Sequence, residues 1–503
     1  MKQERIDNMI YYSSTRGGEK NVTASQAILK GLACDGGLFM PDRIPAFDFE
    51  IKDLCGKRYQ DIAFEVMKLY LTDYTDEELR GCIERAYDSK FDTDEIAPVA
   101  YADGAYYLEL YHGATIAFKD MALSILPHLM TVAAKKNNVT DKIIILTATS
   151  GDTGKAAMAG FADVPGTGII VFFPKGGVSH IQQLQMTTQK GANVTAVAIH
   201  GNFDDAQTGV KQIFGDKDFA AELAAGGVRL SSANSINIGR LVPQVVYYVY
   251  SYVKLLEEGR IGAGEKINIC VPTGNFGNIL AAYMAKQMGL PVNRLICASN
   301  DNKVLCDFFE SGCYDKNREF ILTDSPSMDI LVSSNLERLI YLSCGCDAEK
   351  NASLMAGLSK TGRYEISSDM KEYMKDFAGG YAAQERVHRK IKDLYESTGY
   401  VVDTHTGVAA AVYEDYKKTS GDATPTVIAS TASPYKFSKA VVGSVKGSAE
   451  GDDFDIIDEL SSISNTAIPA AVSELRTAEI RHKAECGKDD MKDTVRKAID
   501  WIS

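Results

Sequence analysis

The sequence predicts an α/β fold with parallel sheets flanked by helices. Short β-rich runs alternate with helix-like segments from residue 105 to about 230, and the same rhythm resumes at 266 and continues to 429. This alternation is typical of βαβ units, which build parallel sheets. Sheets of this kind place their functional sites at the carboxyl ends of strands, so we expect the site in the loops that follow them.

The individual elements follow from the spacing of apolar residues. The expected strands are 105–110, 143–146, 168–173, 193–199, 266–271, 294–299 and 426–429. The expected helices include 59–70, 75–87, 121–134, 156–162, 278–288 and an amphipathic surface helix at 350–397. Thr75 followed by Glu78 is a capping-box pattern for the second of these helices, and Pro127 is expected to kink the third.

The chain divides into four expected regions. Residues 1–97 form an N-terminal region that packs on the catalytic domains, and 98–230 form a smaller α/β domain. Residues 231–437 form a larger α/β domain, which contains a charged, mostly helical stretch at about 306–400, expected to be an insertion or an elaborated edge. Residues 438–503 are expected to be helices that close the domain.

Composition excludes several classes of function. The 503 residues carry a net charge of −13 at pH 7 and no stripe of basic residues, so a nucleic-acid binder is not expected. There is no N-terminal apolar run and no window of about 18 apolar residues, so we expect no signal peptide, no membrane helix and a cytoplasmic location. The ten cysteines include no C-x-x-C pair, which indicates reduced thiols and no metal site.

Residues 112–120 contain the first candidate functional residue, Lys119. It lies between an expected strand and an expected buried helix, which is an unusual place for a solvated lysine. Partial burial destabilises an ammonium and lowers its pKa, so the neutral amine becomes available to a carbonyl. The alternative is a structural lysine that caps a carbonyl or pairs with Asp120. For this stretch taken alone the alternative is the commoner case, since most lysines are surface charges.

A second loop, at 147–155, follows the expected strand 143–146 and precedes a helix. Its small residues allow close approach of the backbone, its hydroxyls donate hydrogen bonds, and the helix N-terminus offers free N–H groups to an anion. The loop nearly matches a nucleotide-binding P-loop, but Thr149 stands where that pattern needs a glycine and Ala156 where it needs a magnesium-binding Ser or Thr. A purely structural turn is the remaining alternative.

A third loop, at 271–278, also follows a strand and opens a helix. Its two glycines and its asparagines suit a tight turn whose N–H groups converge on a phosphate. A lysine at a helix start, an anion loop and a phosphate-type loop together match the needs of pyridoxal phosphate, which has an aldehyde, a phosphate and a ring nitrogen.

Several motifs resemble those of the threonine synthase family, in the tryptophan-synthase-β-like class of pyridoxal phosphate enzymes, and they run in the same order over nearly the whole chain. They are the opening segments 13–17 and 35–38, the lysine motif 112–120, the substrate loop 147–154, the linking motif 232–237 with Arg240 after it, the phosphate loop 274–278 and the ring-nitrogen motif 431–437. The resemblance implies a fold type II enzyme with two parallel or mostly parallel twisted sheets and with N-terminal and helical elaborations. It also implies a lyase that converts O-phospho-L-homoserine and water to L-threonine and phosphate, the last step of threonine biosynthesis.

The resemblance also assigns the cofactor residues. Lys119 would hold pyridoxal 5'-phosphate as an internal aldimine and then move protons at the substrate α and β carbons, and Phe118 would pack on the ring. Asp152 would lie near the 3' oxygen. Thr431 would meet the ring nitrogen, where a hydroxyl gives a weaker electron sink than a carboxylate. The residues expected to bind the cofactor phosphate are Gly274, Asn275, Phe276, Gly277 and Asn278.

A further group of residues is expected to bind the carboxylate and phosphate of the small-molecule substrate. These residues are Ser150, Thr153, Asn234 and Arg240, with Lys155 and Arg16 as additional charges. An arginine suits this role because its fork matches an oxyanion with two parallel hydrogen bonds. The alternative for Arg240 is a surface charge at the start of a helix. The resemblance also favours a monomer.

Two positions depart from the family pattern, and other functions stay open. Ala114 stands where many relatives have proline, and Ser433 replaces a histidine, so Ser433 is not expected to be catalytic. Another fold type II lyase, such as a serine or threonine dehydratase, would keep Lys119 but would not need Arg240. A P-loop-like kinase would bind ATP and magnesium, and a non-catalytic binding protein would leave Lys119 unmodified.

Overall fold

Two sheets organise the chain in a computed structural model, which describes residues 9–149 and 151–502. The strands are β1 (Tyr12–Ser14), β2 (Phe39–Pro41), β3 (Val99–Ala102), β4 (Ala105–Glu109), β5 (Lys142–Ala148), β6 (Thr167–Pro174), β7 (Val194–His200), β8 (Val228–Ser231), β9 (Ile267–Pro272), β10 (Val292–Ser299), β11 (Cys313–Asp315), β12 (Arg363–Glu365), β13 (Phe377–Tyr381), β14 (Thr426–Ser430) and β15 (Ala484–Gly487). Each predicted strand is present, with bounds that differ by two residues or fewer.

Helices connect and cover these strands. The α-helices are α1 (Ala24–Lys30), α2 (Tyr59–Met67), α3 (Asp76–Ala86), α4 (Asp120–Leu123), α5 (Leu126–Lys136), α6 (Asp152–Phe161), α7 (His180–Thr187), α8 (Phe203–Gly215), α9 (Lys217–Ala225), α10 (Ile238–Glu257), α11 (Gly277–Met288), α12 (Val304–Ser311), α13 (Leu336–Ser343), α14 (Ala348–Thr361), α15 (Ser368–Tyr373), α16 (Gln384–Thr398), α17 (Thr404–Ser420), α18 (Ser438–Lys446), α19 (Asp453–Ser464), α20 (Ala470–Ser473) and α21 (Met491–Trp501). Short 3-10 turns occur at Ile51–Leu54, Pro326–Met328, Pro434–Phe437, Glu474–Arg476 and Lys488–Asp490.

The larger sheet has six strands in the spatial order β13–β10–β9–β14–β4–β3. Neighbouring strands are parallel except β3 and β4, which form an antiparallel pair at one edge. Side chains alternate along a strand, so Ile269 and Val271 of β9 pack with α10 and α11, whereas Cys270 packs with α17 on the opposite face. Both faces are therefore covered by helices, as is typical of a parallel sheet.

The smaller sheet has five parallel strands in the order β15–β7–β6–β5–β8. Ile143 and Ile145 of β5 belong to the large hydrophobic core that also contains β9 residues. Ile144 and Leu146 point the other way and pack with α8 and α21. The two sheets and their flanking helices confirm the predicted fold class.

The sheet membership of three strands differs from the predicted regions. Strands β3 and β4 lie within the predicted smaller domain 98–230 but belong to the larger sheet. There β4 pairs with β14, and β3 pairs with β4. Strand β15 lies in 438–503, predicted as helices, and completes the smaller sheet beside β7. Alternating strand and helix patterns indicate that a strand exists, but its partner is set by contacts far away in the sequence.

The segment 306–400 also differs from its prediction. The predicted surface helix 350–397 is divided into α14, α15 and α16, and Gly362 ends α14 in the left-handed conformation, with φ of 78°. Between α15 and α16, β13 forms an edge of the larger sheet. The segment thus supplies an edge strand of the larger sheet, which agrees with an elaborated edge, whereas the single surface helix is wrong.

Helix ends in the first third of the chain show why two local patterns had different outcomes. The Thr75 capping box is present, since Glu78 N donates to Thr75 Oγ1 (3.2 Å) and Thr75 N donates to Glu78 Oε2 (2.8 Å). The predicted helix 121–134 is instead two helices, α4 and α5. Pro127 lies in the first turn of α5, where a missing N–H removes no intrahelical hydrogen bond. The expected kink is therefore wrong, and a break replaces it.

The described residues also bear on membrane and metal binding. Across 9–149 and 151–502, no helix is long and apolar enough to cross a membrane. In the same two ranges, no cluster of three His, Cys, Asp or Glu side chains could hold a metal ion. All ten cysteines are free thiols.

Candidate active site

Loops at the carboxyl ends of β4, β5, β9 and β14 meet around Lys119. Phe118 N donates to Thr431 O (2.8 Å), and Ala117 and Ala432 form a backbone bridge, so the loop after β4 is fixed to the loop after β14. The loop after β5 leads into α6 and brings Asp152 to the Lys119 amine. This is the edge of the sheet where the sequence predicts a site.

Lys119 is buried immediately before α4, with 8% of its surface exposed. Its Nζ lies 3.4 Å from Asp152 Oδ2, 3.1 Å from Ser327 Oγ and 5.0 Å from the centre of the Phe118 ring. Burial lowers the pKa of Lys119, and the nearby positive charges of Lys436 and Arg240 add to this effect, although Asp152 opposes it. The neutral, nucleophilic form of this amine is therefore easier to reach than that of a solvated lysine.

Asp120 does not pair with Lys119. Its carboxylate accepts hydrogen bonds from Thr115 N (2.8 Å) and Thr115 Oγ1 (2.6 Å), which closes the turn before the lysine. Inside that turn Ile116 has φ of 52°, a left-handed conformation that is strained for a β-branched residue. The simple alternative of a Lys119–Asp120 pair is thus wrong, and the strained turn fixes where Lys119 begins its helix.

Asp152 is a buried carboxylate shared by several donors. Lys119 and Lys436 approach opposite oxygens, with Lys436 Nζ 3.2 Å from Oδ1. Gln182 Nε2 donates to Oδ1 (2.9 Å) and Ser327 Oγ to Oδ2 (3.2 Å). Burial alone would raise the pKa of Asp152, but the two lysines outweigh it and hold this pKa well below its usual range. Asp152 is therefore ionised.

The phosphate-type loop after β9 has the close approach that its glycines predict. A Cβ on Gly274 would lie 2.4 Å from the carbonyl oxygen of Ser327. Phe276 has φ of 65° and turns the chain into α11, which begins at Gly277. Asn278 Oδ1 accepts from Tyr247 OH (2.6 Å), while its Nδ2 has no hydrogen-bond partner among the described residues. The free N–H groups of this helix start suit a phosphate.

Residues of the 306–400 segment hold this loop in place. Asn335 Nδ2 donates to Asn275 O (3.0 Å), and Asn335 also accepts a hydrogen bond from Arg338. Arg338 is completely buried, and it donates to Phe39 O (3.0 Å) of β2 and to Ile236 O (2.6 Å) of the linking motif. One side chain thus connects the N-terminal region, the linking motif and the phosphate-type loop.

The segment after β14 brings Thr431 and Ser433 to the site. Thr431 is buried, and its carbonyl accepts from Phe118 N. Ser433, at the position of the family histidine, caps the turn Pro434–Phe437, since its Oγ accepts from Tyr435 N (3.4 Å). The hydroxyl of Ser433 therefore has a structural hydrogen bond of its own.

The predicted substrate residues are distributed unevenly around the site. Arg240 is buried, donates to Ala233 O (2.8 Å), and has no partner for its Nε within the residues that the structure describes. Burial lowers the pKa of Arg240 to about 10. The surface-charge alternative for Arg240 is wrong. Asn234 is exposed in the linking motif, Thr153 lies in the first turn of α6, and Ser150 falls outside the described residues.

Lys155 and Arg16 already have partners. Lys155 donates to Gln189 Oε1, and burial together with the charge of Lys436 lowers its pKa to about 8. Arg16 forms two parallel hydrogen bonds to Glu337, from Nε (2.9 Å) and from a terminal nitrogen (2.7 Å). The Arg16 charge is thereby neutralised, so the geometry does not favour its predicted role as additional charge for the substrate.

Three groups around Lys119 were not among the predicted site residues. Lys436 lies in the ring-nitrogen motif, and the sequence does contain a signal for it, a lysine among apolar residues in the turn Pro434–Phe437 after β14. Ser327 and His405 had no such signal. His405 Nε2 accepts from Ser327 N (3.2 Å), and its Nδ1 lies 2.7 Å from the buried Asp403, so the carboxylate orients the ring behind Ser327.

The site fits a cofactor with an aldehyde and a phosphate. A buried amine with a lowered pKa suits the aldehyde, and the helix start at Gly277, with the unpartnered Asn278 amide among the described residues, suits the phosphate. Lys119 and Lys436 approach the ionised carboxylate of Asp152, and Arg240 adds a positive charge that acts on Lys119, so positive charges outnumber this carboxylate. Such an excess of positive charge favours anionic ligands.

Comparison with known proteins agrees with this arrangement. The family described as pyridoxal-phosphate dependent enzyme matches residues 102–431, threonine synthase N terminus matches 11–87, and threonine synthase C-terminal matches 406–497. Threonine synthase of Schizosaccharomyces pombe is 37% identical over 468 residues, which cover 87% of this chain and 89% of that one. The chain belongs to the threonine synthase family.

Solved structures of the threonine synthase family have the same fold. Pyridoxal phosphate-bound threonine synthase from Brucella melitensis has a TM-score of 0.87 and 34% identity, covering 97% of this chain and 99% of that one. The yeast enzyme also has a TM-score of 0.87, with 32% identity over 98% of this chain and 99% of that one. Human threonine synthase-like 1 is 39% identical over 444 residues, but the chain spans only 59% of its length. The resemblance stated from the motifs is thus confirmed.

Proposed function

We propose that this protein is a lyase that converts O-phospho-L-homoserine and water to L-threonine and phosphate, with pyridoxal 5'-phosphate as cofactor. The observation that carries the proposal is Arg240, a buried guanidinium that donates to a backbone carbonyl and has no carboxylate partner in the described part of the chain. Its charge acts on Lys119, so both groups face one site. A dehydratase acting on serine or threonine has no second phosphate for such a cation to bind.

Each cofactor residue would act through a group that the fold already orients. Lys119 would bind the carbonyl carbon and move protons at the substrate α and β carbons. The start of α11, with Gly274 and Asn275 before it, would bind the cofactor phosphate. Thr431 would place a hydroxyl at the ring nitrogen, and Phe118 would pack on the ring. When bound, the cofactor supplies an electron sink for the charge that develops on the substrate carbons.

The substrate would lie between the linking motif and the start of α6. Arg240 would bind its phosphate with parallel hydrogen bonds, and Asn234, Thr153 and Ser150 would bind the phosphate and carboxylate oxygens. Lys155 lies one turn further into α6 and would add positive charge to that end of the site. Because Arg240 is buried, its interaction with an anion is stronger than that of a surface arginine.

The test compares spectra and phosphate release. Purified protein should absorb in the near-visible range, and Lys119→Ala should lose that band. Wild type should release phosphate from O-phospho-L-homoserine, and Arg240→Gln should lower kcat/KM about 100-fold while keeping the band, because charged hydrogen bonds contribute about 1.5–3 kcal/mol. Arg229→Gln, which removes an exposed arginine paired with Asp141, is the matched control. A protein with the band that releases no phosphate would be another lyase of this fold.

We also propose that the enzyme acts as a monomer in the cytoplasm, in threonine biosynthesis. Support for the monomer comes from the resemblance of the motifs to the threonine synthase family. Light scattering on the purified protein checks the assembly state: a dimer that loses activity on dilution would contradict the proposal.

A further inference from the structure

Two lysines compete for one buried carboxylate in the cofactor site. Lys119 Nζ lies 3.4 Å from Asp152 Oδ2, a long contact, whereas Lys436 Nζ lies 3.2 Å from Oδ1 and also donates to Thr115 O (2.9 Å). The side chain of Lys436 is fully shielded from solvent. Its ammonium is therefore fixed by two acceptors, and its position does not depend on Lys119.

In the part of the chain that the structure describes, Asp152 is the one carboxylate in contact with Lys436. The titratable and charged groups around Lys119 and Asp152 are Asp120, Lys155, Arg240, His405 and Lys436. Asp120 is already occupied by the two Thr115 donors, and His405 is oriented by Asp403. Asp152 is thus the carboxylate that both lysines must share.

We propose that Lys436 is a positioning residue for Lys119: its ammonium occupies Oδ1 of Asp152, so that this carboxylate does not hold the Lys119 amine in its protonated, unreactive form. A lysine alone with a buried carboxylate forms a tight ion pair and keeps its proton. With Lys436 present, Asp152 is neutralised from the other side, and the two ammonium groups also repel one another. The inference rests on the proposed role of Lys119 as the residue that binds the carbonyl.

The sign of the effect follows from the same geometry. Removing the charge of Lys436 leaves Asp152 to Lys119 alone and removes a nearby positive charge, so the pKa of Lys119 should rise. Removing the charge of Asp152 instead should lower the pKa of Lys119. If Lys436 were only structural and held the turn at Thr115, removing its charge would leave the pKa of Lys119 unchanged.

The test measures Lys119 directly in the cofactor-free protein. Trace labelling with acetic anhydride between pH 6 and pH 10, followed by mass spectrometry of the peptide that contains Lys119, gives the pH midpoint at which the amine becomes reactive. In Lys436→Gln the midpoint should rise by about one pH unit or more, which lowers labelling at pH 7 about tenfold. Lys436→Arg, which keeps the charge, should stay close to wild type.

Lys390→Gln is the matched control. Lys390 is also a buried lysine shared by two carboxylates, Asp103 (2.6 Å) and Glu414 (3.0 Å), but it lies on α16 away from Lys119. Its removal should leave the Lys119 midpoint unchanged. An unchanged midpoint in a folded Lys436→Gln protein overturns the inference.

A second measurement tests the inference even if Lys436→Gln does not fold. Asp152→Asn should lower the pH midpoint of Lys119 labelling. The double variant Asp152→Asn/Lys436→Gln has neither the carboxylate nor the second ammonium, so its midpoint should be higher than that of Asp152→Asn. If Asp152→Asn leaves the midpoint at the wild-type value, the carboxylate does not control Lys119 and the inference is wrong. Failure of the proposed function would give a different result: Lys119→Ala would keep the absorbance band of the cofactor.

Discussion

Replacing Gly274 with alanine tests how closely the phosphate-type loop must approach the segment behind Lys119. A Cβ at this position would lie 2.4 Å from the carbonyl oxygen of Ser327, and real Cβ contacts essentially never fall below 3.0 Å. The two segments must therefore separate by about 0.6 Å or more, because a backbone oxygen in a packed interior cannot swing aside. Ser327 Oγ lies 3.1 Å from Lys119 Nζ, so the displacement reaches the amine.

We expect Gly274→Ala to weaken cofactor binding about 10- to 100-fold, since a displacement approaching 1 Å in a preorganised site has effects of this size. Titrating the cofactor-free protein with pyridoxal 5'-phosphate and following absorbance gives the affinity. Gly443→Ala is the control: it lies inside α18, where an added methyl would meet no described atom within 4 Å outside its own helix, and alanine should stabilise that helix by about 1 kcal/mol. Wild-type affinity in Gly274→Ala would refute the steric reasoning.

Three further changes have defined outcomes. Burial lowers the pKa of His112, but Asp92 (2.6 Å) and Glu109 (2.9 Å) outweigh this effect and raise the pKa to about 9. The free energy of unfolding gained from these contacts is complete below about pH 6.5 and is lost as pH rises through 9. The urea midpoints at pH 7 and pH 10 should therefore differ less in His112→Gln than in wild type. Arg338→Met leaves three buried oxygens, Phe39 O, Asn335 Oδ1 and Ile236 O, without their hydrogen-bond donor. It should lower the free energy of unfolding by about 3–5 kcal/mol, and Arg338→Lys should lower it less. Thermal unfolding measures both changes. Thr75→Ala removes a helix cap and should cost about 1 kcal/mol in the same assay, and an unchanged transition would contradict the capping role.

Local patterns explain why much of the site could be predicted from the sequence. Lys119, the loop after β5 and the loop after β9 each follow a recognisable strand, and parallel strands bring their carboxyl ends to one edge. The same rule accounts for Thr431 after β14. Strand, glycine turn and helix start are properties of short stretches, so they are visible without the fold.

The remaining parts of the site depend on distant contacts. Ser327, Asn335 and Arg338 come from 306–400, whose charged and amphipathic pattern resembles an exposed layer. Ser327 contacts Lys119, Asn335 contacts the loop after β9, and β13 of the same segment forms an edge of the larger sheet. The pairing of β4 with β14 was equally invisible, since no local pattern specifies a partner so far along the chain.

The position of β14 has a consequence for how the enzyme is made on the ribosome. In the larger sheet β14 lies between β9 and β4, and Val427 pairs with Tyr106, so the strand that leads to Lys119 joins the sheet only after residue 430 has been synthesised. Contacts of such long sequence separation form slowly. A nascent chain therefore completes the site around Lys119 only near the end of translation, and chains truncated before β14 should not bind pyridoxal 5'-phosphate.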